Sequence, residues 1–248
     1  MSGDYVRRNY RSLHQSKDLY YFNVKIKQTD LSIGVDKASY SDSLVEFTRQ
    51  CIIKLRAELE TYIDFDPNFQ HSLVPVKVHA RATSLVTNMA QAARACGVGP
   101  MAAVAGAVAQ QTGEQLLSRV GEVIVENGGD IYMNCQRKRT IAVFAGQSEF
   151  SSRIGITVDV DEMPLGICTS SGTVGHSLSF GKADAVMIKS PNAALADAVA
   201  TRIGNIIQTK DDFVNAIEVA KNLEGITGVL IIKEDALAAW GKIEITPL

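Results

Sequence analysis

The chain has 248 residues, a hydrophobic fraction of 46% and a formal net charge of −2. This length allows one large domain or two merged ones, and it is enough to bury a core without disulfides. A small net charge without long runs of one sign gives no reason to expect nucleic-acid binding. The first residues lack the apolar stretch of a secretory signal, and no uncharged run approaches the roughly 18 residues of a membrane span. We therefore expect a cytoplasmic protein that binds neither nucleic acid nor membrane.

The chain begins with a locally basic segment, residues 1–18, that also contains tyrosines. We expect it to form a solvated or loosely docked arm, and an anion-binding arm is the alternative. Residues 19–36 alternate in part between apolar and polar types. This pattern predicts two strands joined by a turn at Thr29 and Asp30.

A long amphipathic helix is predicted over residues 41–63, where apolar side chains recur at three- and four-residue spacing. Ser43 followed by Glu46 is typical of a capping box at its start. The loop after this helix is interrupted by Pro67 and Pro75, and we expect it to be solvated.

Two helices rich in small residues follow. The first is predicted from about Ala82 to Cys96, and Gly97 marks its end because glycine readily adopts the left-handed conformation that ends helices. The second opens with Pro100 in its first turn. Its many Ala and Gly residues would let its backbone approach a neighbour or a ligand closely.

From Gly121 onward the sequence changes to short β-rich segments separated by turn residues, with helices predicted at 190–207 and in KDDFVNAIEVAKNL. The predicted strands lie in EVIVENGGDIYMNC, RTIAVFAG, RIGITVDV, GICTSSG, ADAVMIKS, TGVLIIK and GKIEITP. Runs of strands together with separate helices favour a single α+β domain over residues 1–248, in which a mostly antiparallel sheet packs against helices.

The segment from Asn127 to Asp130 places Gly128 and Gly129 between two apolar runs. This is typical of a tight β-turn, because glycine adopts positive φ at little cost. The same bare backbone could present N–H groups to an anionic or planar ligand. The two interpretations are compatible.

A second segment rich in glycine, residues 168–184, carries several Ser and Thr hydroxyls. Its spacing fits neither a P-loop nor a dinucleotide-binding fingerprint. A flexible turn and a loop that binds a phosphate or a ring edge are equally consistent with it. His176 lies in this polar segment, which favours a role at a site over burial in the core. No Ser–His–Asp geometry follows from the sequence, so we propose no hydrolase triad.

Asp197 and Thr201 lie four residues apart in the helix predicted at 190–207, so they share one helix face. A carboxylate and a hydroxyl suit Mg²⁺ or Ca²⁺, with backbone carbonyls, water and ligand phosphates completing the coordination. The alternative is structural: Asp197 caps a neighbouring loop, and Thr201 bonds to its own helix backbone.

The order of these pieces resembles the ApbE family of FAD:protein FMN transferases. GGDI at 128–131, CTSSG at 168–172, the later histidine and ADAVAT at 196–201 are similar to the family's GG-x-I-R, A-T-S-G, S-H and A-D-A-L-A-T. AAVAGAVA at 102–109 loosely resembles the family's A-I-A-K-G-Y-A. The resemblance covers roughly residues 99–207 and is closest to a short cytoplasmic branch found in anaerobes and methanogens.

This resemblance implies a T-fold-like domain whose motifs lie within residues 82–208, a pocket for FAD or FMN, and a Mg²⁺ ion. In the family the Asp and Thr of A-D-A-L-A-T hold Mg²⁺ with a backbone carbonyl; the matching groups here are Asp197, Thr201 and the carbonyl of Ala105. Family members move FMN from FAD onto a protein Thr or Ser, which implies a protein acceptor. The residues expected to bind the cofactor are Gly128, Gly129, Asp130, Thr169, Ser170, Ser171 and Gly172.

The chain departs from the family pattern, because it lacks the lysine of A-I-A-K-G and has Tyr132 where the pattern has Arg. Two other classes of protein therefore stay open. In the first, a sulfur carrier or redox protein of anaerobic sulfur assimilation and homocysteine formation, Cys135 or Cys168 would act as a thiolate activated by nearby backbone N–H groups. His176 is the remaining candidate catalytic residue. The second is an oligomeric, non-catalytic binding protein that kept the fold and lost the site.

Overall fold

An eight-stranded antiparallel sheet forms the centre of the structure, a computed structural model that describes residues 16–172 and 181–248. Every neighbouring pair in this sheet is antiparallel. In sheet order the strands are β1 (Leu19–Ile26), β2 (Thr29–Asp36), β3 (Val123–Asn127), β4 (Asp130–Asn134), β7 (Leu165–Ser170), β8 (Ala185–Ser190), β9 (Gly228–Lys233) and β10 (Ala236–Gly241).

A smaller antiparallel sheet covers one face of the large one. Its strands, in sheet order, are β11 (Glu244–Pro247), β6 (Ile154–Val158) and β5 (Arg139–Ala142). The apolar core between the two sheets contains Ile141 and Ile156 from the small sheet together with Met133 and Ile167 from the large one.

Helices cover the opposite face of the large sheet. They are α1 (Asp42–Phe65), α2 (Asn68–His71), α3 (Ser84–Cys96), α4 (Val104–Leu116), α5 (Ala193–Ile206) and α6 (Phe213–Lys221), and a 3-10 turn at Pro100–Ala103 leads into α4. Strand β8 shows how the sheet separates the two cores, because successive side chains of a strand point to opposite faces. Val186 and Ile188 belong to the helix-side core, whereas Ala185 and Met187 belong to the core between the sheets.

Small residues let α5 lie unusually close to its neighbours. A Cβ atom added to Gly166 of β7 would lie 2.5 Å from the Cα atom of Ala193, the first residue of α5. A Cβ atom on Gly106 of α4 would lie 2.2 Å from the carbonyl oxygen of Ala193. The start of α5 is therefore wedged between β7 and α4.

The structure confirms the predicted α+β class, with a mostly antiparallel sheet packed against helices. The predicted turn at Thr29 and Asp30 is wrong, because Ile26 pairs with Thr29 and the two-residue loop is Lys27 and Gln28. Lys27 takes the positive φ of 52° that the turn requires. Both Thr29 and Asp30 are instead buried within β2.

Two further details differ from the sequence-based expectation. Ser41, rather than Ser43, caps α1, because its hydroxyl accepts the Leu44 N–H at 3.2 Å. Strand β10 was not predicted, since its run ALAAWG has few of the β-branched residues that mark strands. It extends the sheet by pairing with β9.

Two expectations concern membranes and the N-terminal arm. In the part of the chain that the structure describes, no single helix is long and apolar enough to cross a membrane, while α3 and the segment Pro100–Leu116, bent by 106°, meet that test only as a pair. Most of the arm predicted at residues 1–18 lies outside the described residues, so its docking stays a prediction.

The close packing of α5 on β7 makes Gly166 a sensitive position. We expect Gly166→Ala to destabilise the protein by about 1 to 3 kcal/mol, because the added methyl group overlaps the backbone of Ala193. Urea unfolding measures the loss. Gly121→Ala is the matched control, since its nearest contact would be an ordinary 3.5 Å. Equal stabilities of the two variants would contradict the packing argument.

Candidate functional site

A tight hairpin at the end of β3 and β4 forms one side of the candidate site. Asn127 pairs with Asp130, and Gly128 and Gly129 form the two-residue loop with φ values of 69° and 106°. The Gly129 N–H donates to the Glu126 carboxylate at 2.8 Å. A Cβ atom on Gly129 would meet nothing within 4 Å, so the turn presents open backbone on this side.

Asp130, directly after the glycines, points into the protein and joins the hairpin to β7. Its side chain is buried, and its Oδ1 atom accepts the Thr169 N–H at 3.1 Å. Cys168, the preceding residue of β7, is also buried and lies within hydrogen-bonding reach of the same carboxyl group. The turn and the end of β7 thus meet at Asp130, whose partner Thr169 lies 39 residues away in the chain.

Asp197 of α5 reaches the first turn of α4. Its Oδ2 atom accepts the Gly106 N–H at 2.9 Å, in a turn that has no capping side chain of its own. The adjacent Ala105 carbonyl accepts a hydrogen bond from the Asn127 side-chain amide at 3.2 Å. The hairpin, α4 and α5 therefore converge on one small region through these contacts.

The two acidic groups in this region are held in their neutral forms more readily than usual. Burial raises the pKa of Asp197 to about 7, although the N–H groups of Gly106 and Ala105 act in the opposite direction. Burial also raises the pKa of Asp130 well above its ordinary value, and the nearby charge of Asp197 raises it further. Asp197 therefore lies close enough for its charge to disfavour ionisation of Asp130.

The donor set fits a hard cation. Asp130 and Asp197 supply carboxylate oxygens and Ala105 a carbonyl oxygen, which are the ligand types of Mg²⁺. In the described parts of the chain, no cationic side chain pairs with either acid. A bound cation would therefore offset the free-energy cost of burying two carboxylates.

The described residues do not complete a metal site by themselves. Within residues 16–172 and 181–248, no group of three or more His, Cys, Asp or Glu side chains could hold a metal ion. Thr201 lies one turn after Asp197 on α5 and is partly buried. Remaining ligands would come from its hydroxyl, from backbone carbonyls, from water or from the phosphates of a ligand.

The predicted cofactor-binding segment continues from the end of β7. Ser170 is buried, Thr169 and Ser171 are partly buried, and the exposed Gly172 donates its N–H to the Ala183 carbonyl at 2.9 Å. This hydrogen bond joins the two described segments that lie on either side of residues 173–180. Those eight residues, including His176, lie outside the described part of the chain.

Both candidate cysteines lie in environments that disfavour a thiolate. The Cys168 thiol donates to the Ala193 carbonyl at 3.3 Å, and burial followed by the charge of Asp130 raises its pKa well above the usual value. Burial raises the pKa of Cys135 to about 11. The two thiols also belong to different cores, Cys168 on the helix side of the sheet and Cys135 between the sheets.

The structure adds residues that the sequence did not identify. Asn127 links the hairpin to α4, and the Gln110 side chain of α4 accepts the Ala193 N–H at 2.8 Å. Asn192 caps α5, because its side-chain oxygen accepts the Leu195 N–H at 3.0 Å, and its side-chain amide donates to Asn88 of α3 at 3.0 Å. No local sequence pattern indicates the contacts of Asn127 with Ala105, of Gln110 with Ala193 or of Asn192 with Asn88, because each joins segments that are distant in the chain.

Comparison with known proteins extends this description. The family model described as "AbpE bacteria" matches residues 11–225. The chain is 36% identical over 225 residues to a UPF0280 protein of Methanococcus aeolicus, covering 89% of each protein. It is 38% identical over 223 residues to a UPF0280 protein of Methanocaldococcus jannaschii, covering 88% of this chain and 89% of that protein.

Solved structures give the class of fold. The flavin transferase ApbE from Vibrio cholerae matches with a TM-score of 0.59 at 14% identity, over 90% of this chain and 97% of that one. The ApbE protein of Thermotoga maritima matches with a TM-score of 0.54 at 12% identity, over 89% and 96%. The fold is therefore that of the ApbE-like proteins. Within this class, the chain belongs to the family of the UPF0280 proteins.

The raised pKa of Asp197 predicts how stability depends on pH. The unfolded carboxyl titrates near its model value of 3.8 and the folded one at about 7. Between these values the folded state binds more protons, so this group's contribution to stability is lost as pH rises through about 7. Without added metal, we expect Asp197→Asn to gain on the order of 1 to 3 kcal/mol relative to the natural protein between pH 5 and pH 8.

Chemical unfolding at both pH values measures this difference. Asp211→Asn is the control, because Asp211 is exposed and lies outside the site. Its stability relative to the natural protein should stay constant from pH 5 to pH 8. A constant difference for Asp197→Asn as well would contradict the burial of an ionisable carboxyl group at this position.

Proposed function

We propose that this protein binds a flavin nucleotide, FAD or FMN, through Mg²⁺ and acts as a Mg²⁺-dependent transferase. The observation that carries this proposal is the convergence of the Asp197 carboxylate, the Ala105 carbonyl and the buried Asp130 carboxyl group at the start of α4. These oxygens come from three separate segments and are of the types that bind a divalent cation, which supports a metal site here.

Each residue of the proposed metal and nucleotide site would have a specific role. Asp197, Thr201 and the Ala105 carbonyl would hold Mg²⁺, with Asp130 beside them. An ion held by these residues would supply positive charge that stabilises the phosphates of the nucleotide and the charge that develops during transfer. The open backbone at Gly129 would leave room for the nucleotide, and Thr169 to Gly172 would border it on the β7 side.

The names of structurally similar proteins support the choice of flavin. The Vibrio cholerae protein is a flavin transferase, and so is a protein of Pseudomonas stutzeri that matches with a TM-score of 0.52. At 14% and 11% identity these matches establish the fold alone. The flavin and the transfer to a hydroxyl of a protein acceptor are therefore proposed from the site and the family resemblance together.

The first test is binding of FAD with and without Mg²⁺. Isothermal titration calorimetry should show binding that strengthens at least about tenfold when Mg²⁺ is added, since Asp197 and Thr201 would hold a cation that offsets the charge of the phosphates. Asp197→Asn keeps the volume of the side chain and an acceptor for the Gly106 N–H but removes the charge. It should lose the Mg²⁺ effect and stay folded.

Asp211→Asn again serves as the control and should bind FAD like the natural protein. Binding of FAD that does not depend on Mg²⁺, in both the natural protein and Asp197→Asn, would leave Asp197 as a structural cap of α4. That result would contradict the proposed metal site.

Alkylation of the cysteines tests the sulfur-carrier alternative. Because all four cysteines are buried and burial raises the pKa of each thiol, we expect iodoacetamide to leave the native protein unmodified at pH 7. In denaturant all four should react, as mass spectrometry of intact protein can show. Rapid modification of native Cys135 or Cys168, or a persulfide on either, would instead favour a thiol-based function.

A further inference from the structure

A cleft lies apart from the candidate site, between the later turns of α1 and residues 79–83. It has a volume of about 660 Å³, within the range of roughly 300 to 1,000 Å³ typical of small-molecule sites. The lining residues that matter here are Lys54, Tyr62, Phe65, His79, Arg81 and Thr83. It contains none of the residues assigned to the proposed flavin site.

Aromatic rings form one wall of this cleft. The ring of Phe65 lies 6.0 Å from that of Tyr62 and 6.0 Å from that of His79, with interplanar angles of 57° and 75°. Phe65 is nevertheless 71% exposed, so most of this large apolar side chain is in contact with solvent. A ring held between two others but left uncovered is suited to contact with a planar ligand.

Backbone contacts fix the orientation of the histidine in this wall. The His79 N–H donates to the Tyr62 hydroxyl at 3.0 Å, and the His79 Nδ1 atom accepts the Arg81 N–H at 3.1 Å. When the ring is neutral, its proton is therefore on Nε2. This leaves one polar donor at the edge of an otherwise aromatic surface.

The other part of the cleft favours an anion. Thr83 is the N-cap residue of the 13-residue helix α3, but its hydroxyl does not cap the helix. Among the described residues this Oγ1 atom is buried without a hydrogen-bond partner. The first N–H groups of α3 therefore lack the side-chain acceptor that usually satisfies them, and they carry the positive end of the helix dipole.

Charged side chains complement this helix end. Lys54 and Arg81 both line the cleft and are exposed, and neither forms an ion pair within the described residues. Glu58 is the acidic residue among those lining the cleft, which leaves the lining with a net positive charge. An anion here would meet two cations and would supply the missing acceptor at the start of α3.

We propose that this cleft binds a planar aromatic anion, with its ring against Phe65 and His79 and its charged group near Thr83, Lys54 and Arg81. The ligand class is an aromatic ring that carries a phosphate or a carboxylate. The proposal is independent of the proposed flavin site, because the two sites share no residue.

Nuclear magnetic resonance titration with phenyl phosphate tests this proposal on the full chain labelled with ¹⁵N. Saturable shifts are expected at the backbone amides of residues 79–86, around the cleft and the start of α3. Inorganic phosphate, which lacks the ring, and phenol, which lacks the charge, should each bind at least about fivefold more weakly, since both parts of the cleft contribute.

Two variants separate the contributions of ring and charge. Phe65→Leu keeps an apolar side chain at an exposed position, and Arg81→Gln keeps a polar one; each should weaken phenyl phosphate binding at least about fivefold. Arg153→Gln, an exposed change outside the cleft, should bind phenyl phosphate as the natural protein does.

Several results would overturn the proposal. Equal affinity for phenyl phosphate and inorganic phosphate would show that the aromatic wall has no role. Shifts confined to the Gly128-Gly129 turn, or no saturable shift at residues 79–86, would show that the ligand does not occupy the cleft. Concentration-dependent self-association that shifts these amides without any ligand would show that a second copy of the chain covers it.

Discussion

The contact between the Asp197 carboxylate and the first turn of α4 determines how the candidate site is built. It requires α4 and α5 to approach closely, which is possible because Gly106 and Ala193 are small. A side chain on Gly106 would collide with the α5 backbone and with the Cβ atom of Asp197. The same glycine that permits the approach also supplies the N–H that Asp197 accepts. The pair Gly106 and Asp197 therefore determines both the packing of α4 on α5 and the geometry of the site.

Burying Asp130 and Asp197 has a free-energy cost that backbone hydrogen bonds offset in part. Burying carboxyl groups is unfavourable unless they are neutral, hydrogen-bonded or paired with a cation. Asp197 has two backbone N–H groups and Asp130 has one, from Thr169. These donors keep the acids in place, but burial still dominates and raises both pKa values. A fold that holds two acids at this cost is one in which a cation would bind with little rearrangement, which is the physical basis of the proposed function.

The sequence predicts the elements of this site better than the contacts between them. The two-glycine turn follows from the conformational freedom of glycine, and the shared face of Asp197 and Thr201 follows from helix periodicity. The hydrogen bonds of Asp130 with Thr169, 39 residues away, and of Asp197 with Gly106, 91 residues away, follow from no local rule. They depend on the order of the strands, which only the packing of the whole chain decides. The resemblance to the ApbE family is the part of the sequence analysis that brings these segments together, because it implies one pocket to which all of them contribute.

Cys168 shows that sequence position alone does not determine the reactivity of a side chain. Its position beside a segment rich in glycine suggests thiolate chemistry, because the backbone N–H groups of such a segment could activate a thiolate. The structure places its Sγ atom against the Ala193 carbonyl and two acids, all of which disfavour negative charge on sulfur. A sequence reveals which groups are adjacent along the chain, whereas reactivity depends on the charges that other segments bring close.

Helix α3 connects the candidate site with the aromatic cleft. Its start borders the cleft at Thr83, and its Asn88 side chain accepts a hydrogen bond at 3.0 Å from Asn192, the residue that caps α5. At the other end of α3, the Arg202 side chain of α5 donates to the Cys96 carbonyl. These two contacts hold α3 along the helix that carries Asp197. A ligand that moved the start of α3 would therefore act on the cap of α5, while one that binds without moving it would leave Asp197 in place. The two sites have no residue in common, so any influence of the cleft on the acidic site would pass through the packing of the helices, including α1 and α3, which both contact α4.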